Sequence, residues 1–171
     1  TGQPPKRVPI TADAHGKPHL AVDPLHLHFN LAHSGAWGLV AVARQWPVGV
    51  DLELVRPSLE HAAIAQRFFA PGEAQRLAAL PPAERLPAFF RCWTRKEAYV
   101  KARGLGLSLP LDEFEVSLEA QAPGVVWIKA DAAEAARWRL FEPPLAPDYF
   151  GAVAVRARET TLLDCGVWPA N

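Results

Sequence analysis

The sequence predicts an α+β protein in which strands and helices are segregated rather than alternating. Three observations carry that prediction. Apolar, strand-like segments crowd the region up to residue 55, one long helical pattern runs over residues 86–104, and four further strand-like segments follow Gly104.

Taken in order, residues 1–26 are rich in Pro, His and polar residues, and "HGKPHL" reads as a turn entering a short strand. "LHLHFNLAHS" alternates as a strand until Gly35 breaks it. "AWGLVAVAR" and "VGVDLELV" read as two more apolar strands, joined through "QWP" as an antiparallel hairpin. Ser58 after Pro57 predicts an N-cap for the helix "LEHAAIAQRFF". Pro71 suits the first turn of a second helix, "PGEAQRLAAL". The third helix, "LPAFFRCWTRKEAYVKARG", takes Pro87 into its first turn and Gly104 as a left-handed cap. "FEVSLEA", "VVWIKA", "WRLFE" and "YFGAVAVRA" complete the chain as strands separated by turns.

At 171 residues the chain is long enough for one sizeable core. Half of it is hydrophobic and its formal net charge is zero, a globular composition with no basic excess to suggest nucleic acid as a partner. No apolar run reaches the ~18 residues of a membrane span, no signal peptide is visible, and Cys92 and Cys165 read as unpaired thiols. A cytoplasmic protein with no membrane partner is therefore expected. There is no methionine and the chain begins "TGQPPKRVP", so a fragment or a processed chain is expected.

The charge balance hides an asymmetry. Residues 84–103 hold six Lys and Arg against two Glu, whereas residues 104–171 hold five against ten. The basic segment reads as a solvated helix face.

"PVGVDLELV" poses the chemical question. Residues i and i+2 of a strand share a face, so Asp51 and Glu53 project side by side within an apolar run. Like charges this close need something positive between them, either an Arg or Lys or a metal ion. Trp93, Glu97 and Lys101 recur at i, i+4 and i+8 on one helix face, which makes Glu97 available as a third carboxylate. Three carboxylates without His or Cys ligands favour Mg²⁺ over Zn²⁺, and Mg²⁺ is commonly shared with substrate phosphates. Lys101, one turn beyond Glu97, would reach such a phosphate. The competing reading of Glu97 and Lys101 is an ordinary helix-surface pair. His15, His19, His26 and His28 are irregularly spaced and read as a surface loop. "GLGLSL" reads as a cap and a turn rather than a phosphate loop.

"VGVDLE" followed by "WTRKEAYVKARGLGL" resembles the paired signature of the 4'-phosphopantetheinyl transferases, in particular the larger, surfactin-type branch. "GKP" at 16–18 and "FNLAHSG" at 29–35 resemble two earlier motifs of that branch. The resemblance implies a fold of two similar halves related by a pseudo-twofold, each an antiparallel sheet packed with a helix. Residues 1–48 would be the remainder of a first half cut short at its N-terminus, and residues 49–171 the second half, carrying the acids and the long helix.

It further implies Mg²⁺-dependent transfer of the phosphopantetheine arm of coenzyme A to a serine of an apo acyl or peptidyl carrier protein by a monomer. By position, Asp51, Glu53 and Glu97 match the metal ligands, and Glu97, Lys101 and His33 the catalytic residues. Gly16, Lys17, Pro18, Ala32, His33 and Lys101 match the coenzyme A contacts. The carrier protein in the usual family picture is an acidic helical bundle, so the resemblance gives the basic segment a second reading as a docking surface built on Arg91, Arg95 and Arg103, with apolar contacts from Leu105, Leu107 and Leu109. The base would be Glu97 or a water on the metal. Ala32 stands where the family often has Ser, and members of the branch usually have more chain, with basic residues, before "GKP" than is read here. These departures leave open a catalytically silent module that binds coenzyme A or a carrier protein. The acids also leave open a nucleotide pyrophosphohydrolase.

Overall fold

Every strand pairing in the computed structural model, which describes residues 4–157 and 159–166, is antiparallel. The α+β expectation holds: small antiparallel sheets surround one long helix. The hairpin β1 (Ile10–Ala12) and β2 (Pro18–Leu20) comes first, then the hairpin β3 (Leu27–Ser34) and β4 (Trp37–Arg44). β5 (Val48–Leu54) leads into three helices, α1 (His61–Phe68), α2 (Pro71–Ala79) and α3 (Pro82–Arg103). β6 (Phe114–Val116) pairs with β7 (Val125–Ile128), and the short α4 (Ala132–Ala135) precedes β8 (Arg139–Phe141) and β9 (Tyr149–Val155). β5, β9 and β8 form a three-stranded sheet in that order.

The expected hairpin between β4 and β5 does not form. β4 pairs only with β3, and β5 pairs along its length with β9, from Val48 opposite Val155 to Leu54 opposite Tyr149. Gln45, in the left-handed region at φ 69°, turns the chain out of the β4 ladder. Pro47 has no N–H to continue that ladder, and its carbonyl instead accepts the Arg156 N–H beside β9.

Two helix starts also differ from expectation. Ser58 lies in a turn in which the Leu59 N–H bonds the Arg56 carbonyl, and α1 begins at His61 with no side-chain cap. α3 begins at Pro82, so Pro87 sits inside it rather than in its first turn. A proline this close to the start forgoes only one helical hydrogen bond, which the packing of a 22-residue helix outweighs. The cap at Gly104 is as expected, with φ 68° and its N–H on the Val100 and Lys101 carbonyls.

α3 is central rather than peripheral. Phe89, Phe90, Ala98, Tyr99, Phe114, Trp138, Ala152 and Ala154 belong to one buried cluster along it. Burial reaches its polar residues as well. Lys96 and Glu73 of α2 form a wholly buried ion pair at 2.6 Å, and Lys96 also donates to the Phe114 carbonyl. Arg95 is equally buried, bonded to the Ser117 and Glu119 carbonyls and to Glu142. Arg91 pairs with Glu142 and lies over Phe150. The basic segment is therefore neither a solvated face nor a docking surface at Arg91 and Arg95; those charges are spent inside the protein. Arg103 is exposed, with its guanidinium on the Tyr99 hydroxyl, and the Leu107 side chain lies outside the described residues.

β5 lies between the β3–β4 hairpin and α3. Val48, Val50 and Leu52 point into a second core with Ala32, Ala41 and Val153, which fastens the β3–β4 hairpin to it. Gly49, Asp51 and Glu53 alternate onto the opposite face, toward α3. A Cβ built on Gly49 would lie 2.2 Å from the Ala102 nitrogen and the Ala98 oxygen, so only glycine lets α3 come this close.

Candidate functional site

Strand alternation presents Asp51 and Glu53 to the last turns of α3, where helical spacing stacks Trp93, Glu97 and Lys101. Lys101 Nζ donates to Asp51 Oδ1 at 2.7 Å. Asp51 is buried, and its Oδ2 has no partner. Glu53 accepts a bond from the Ser34 hydroxyl at 3.3 Å and lies 3.9 Å from the Arg56 guanidinium.

Asp51 and Glu97 feel the same charged neighbours. Burial, the largest cause, pushes the Asp51 carboxyl up to about 7; Lys101 opposes the shift, while Glu97 and Glu53 add to it. Burial likewise raises the Glu97 carboxyl, with Lys101 opposing and Glu53 adding. Of the two possible positive partners for Asp51, the one in place is a lysine.

The acids are gathered but not closed into a ligand shell. Among the described residues no three His, Cys, Asp or Glu side chains stand close enough together to hold a metal ion. The donor chemistry nonetheless fits a hard divalent cation, because the buried Asp51 Oδ2 has no partner and the Asp51 carboxyl feels the charges of Glu97 and Glu53.

The other expected residues lie on the β1–β2 hairpin and on β3. Gly16, at φ 83°, forms the β1–β2 turn and Pro18 opens β2. Lys17 turns inward and donates Nζ to the carbonyls of Val48, Lys101 and Ala102, at 3.0, 2.7 and 3.1 Å. It thus caps the negative end of α3 and pins the β1–β2 hairpin to it. Lys17, Pro18, His28, Phe29 and Arg103 line a cavity of about 260 Å³ at that helix end. Ala32 is buried in the core beneath β3, whereas His33 alternates onto the exposed face of the strand.

Three contributors escaped the sequence reading. Asn30 Oδ1 accepts the Val50 N–H, and Ser34 Oγ accepts the Leu54 N–H, so two β3 side chains hold the backbone that presents Asp51 and Glu53. Inward-facing polar residues in an apolar strand were the available signal. Tyr149 Oη, accepting the Ala36 N–H, gave none.

With this geometry in view, comparisons with known proteins converge. A family profile described as the 4'-phosphopantetheinyl transferase superfamily matches residues 47–154. A protein of Synechocystis sp. described as putative 4'-phosphopantetheinyl transferase slr0495 is 32% identical over 173 residues, covering 96% of this chain and 69% of the relative. The 4'-phosphopantetheinyl transferase HetI of Nostoc sp. is 38% identical over 149 residues, covering 86% and 59%. The 4'-phosphopantetheinyl transferase Sfp of Bacillus subtilis is 42% identical over 110 residues, covering 64% and 47%. The chain thus spans between about half and two thirds of the length of these relatives. Among solved structures, the holo-[acyl-carrier-protein] synthase of Thermotoga maritima superposes with a TM-score of 0.51 at 18% identity, over 66% of this chain and 64% of that one, a likeness of fold.

Proposed function

This chain belongs to the 4'-phosphopantetheinyl transferase superfamily, and from that premise we propose that it transfers the 4'-phosphopantetheine arm of coenzyme A to a serine of an apo acyl or peptidyl carrier protein, with Mg²⁺, releasing 3',5'-ADP. We place it in the surfactin-type branch, as a cytoplasmic monomer without nucleic-acid or membrane partners. Among the described residues no helix is long and apolar enough to cross a membrane. The observation that carries the reading is the gathering of Asp51, Glu53, Glu97 and Lys101 across the β5–α3 contact, inside the matched segment.

In the proposed reaction the carrier serine Oγ attacks the phosphorus that bears the pantetheine arm. The bond from that phosphorus to the bridging pyrophosphate oxygen breaks, and 3',5'-ADP leaves with the oxygen. The serine proton passes to the Glu97 carboxylate, which burial makes a better base than an exposed glutamate. Lys101 supplies charge-assisted hydrogen bonds to the pyrophosphate oxygens. Asp51, Glu53 and Glu97 would hold Mg²⁺, which when bound neutralises the charge that develops there. His33 is assigned to a coenzyme A phosphate, and Gly16, Lys17 and Pro18 to the loop beside its adenine end. Ala32 leaves only a backbone contact beside His33.

A second reading, a module that binds coenzyme A or a carrier protein without transfer, is favoured by one observation: Lys17 already satisfies its ammonium on three carbonyls. Chromatographic measurement of 3',5'-ADP decides between the readings. Release that requires both coenzyme A and apo carrier supports transfer. Release from coenzyme A alone supports a pyrophosphohydrolase, and none at all, with coenzyme A bound, supports the module.

A further inference from the structure

The two oxygens of Asp51 are in different states. Oδ1 holds the Lys101 ammonium, while Oδ2 is buried and bare. Asp51 and Lys101 are fifty residues apart, so packing of α3 on β5 makes the pair. The Lys101 ammonium is therefore the positive charge on Asp51, held on one oxygen while the other stays without a partner among the described residues.

We infer that Lys101 is the resident counter-cation of the acid group, holding on Asp51 the place that a divalent cation would take. The inference rests on the reading of Asp51, Glu53 and Glu97 as cation ligands and extends it to how the site is filled. An ammonium held on Oδ1 repels a divalent cation on the same carboxylate, so Lys101 must leave before the cation binds tightly. Lys101 is the partner able to move. Its side chain is 32% exposed against 7% for Asp51, and four methylenes carry its three donors. A phosphate-bearing ligand gives the ammonium somewhere to go. Cation and phosphate ligand then bind with positive coupling, each strengthening the other through the same lysine.

The test uses the full chain, Mn²⁺ as probe and the electron paramagnetic resonance signal of free Mn²⁺ as readout, with and without coenzyme A. Lys101→Met is compared with wild type, and Lys101→Gln checks that the effect follows the charge rather than the shape. Without coenzyme A, both variants are expected to bind Mn²⁺ about tenfold tighter than wild type. Coenzyme A should tighten Mn²⁺ binding in wild type and do so much less in the variants. Equal or weaker Mn²⁺ binding by both variants, with wild type still binding the ion, overturns the counter-cation role and leaves the transferase reading standing. Mn²⁺ uptake by wild type that survives Asp51→Asn unchanged overturns the ligand assignment, and with it both.

Discussion

The Lys101 ammonium lies 2.7 Å from Asp51 Oδ1, joining the end of the longest helix to the middle of the strand that faces it. The contact is possible because Gly49, two residues earlier on the same face, has no side chain to hold the helix away. Close packing, carboxylate burial and the ion pair are thus one arrangement.

Asp51 makes stability fall as pH rises. Burial pushes its folded carboxyl up to about 7, above the ordinary aspartate value of about 3.9. Between roughly pH 4 and 7 the folded state therefore holds a proton that the unfolded chain has lost, and stability declines through that window. Asp51→Asn should flatten the profile and stabilise the metal-free protein at pH 8 by about 1–3 kcal/mol. Urea melts across pH 4–8 measure this; parallel profiles for the two proteins would contradict it.

Glu97→Gln keeps the shape of the side chain and removes its charge. With Glu97 as base and cation ligand, transfer should drop by about 10²–10⁴-fold while the melting temperature holds or rises. The rise would come from burying a neutral amide in place of an acid that burial disfavours. Initial rates paired with thermal melts check both halves.

Glu73 and Lys96 test the frame rather than the chemistry. Glu73 accepts the Ala70 and Val116 N–H groups as well as Lys96, so one carboxylate links α2, α3 and β6. Lys96→Met should cost about 3–5 kcal/mol by leaving that carboxylate buried and unpaired. Adding Glu73→Leu should recover part of the loss. A double variant no more stable than Lys96→Met alone would contradict this reading of the pair.

Gly49→Ala puts a methyl group against the α3 backbone, which cannot move aside as a side-chain end can. A loss of about 1–3 kcal/mol is expected. The transfer rate should fall with it, since Lys101 and Glu97 retreat from Asp51. Unchanged stability would mean that α3 shifts freely on β5.

Most elements were legible because their periodicity is unambiguous. β3, β4, β5 and β9 read as apolar strands, and α2 was fixed by Pro71 and its apolar spacing. The pairing of β5 with β9 was not legible, since it joins segments nearly a hundred residues apart and the short QWP link pointed to the nearer neighbour. Nor was the burial of Arg95 and Lys96. Charged residues usually stay in water, and only the tertiary partners Ser117, Glu119, Glu142 and Glu73 make their burial tolerable. At the site, i and i+2 spacing on β5 with i and i+4 spacing on α3 brought out the acids and Lys101. Lys17 was assigned to a ligand, yet its ammonium lies on the helix-end carbonyls, a contact spanning 84 residues of chain that no local pattern encodes.

Intact-protein mass spectrometry of an apo carrier protein, incubated with coenzyme A and this chain in Mg²⁺ or in EDTA, tests the central claim most directly. The account predicts a phosphopantetheine adduct on the carrier that forms with Mg²⁺, disappears in EDTA and disappears with Glu97→Ala. An adduct that forms equally well in EDTA or with Glu97→Ala, or a carrier that stays unmodified although coenzyme A is bound, would contradict it.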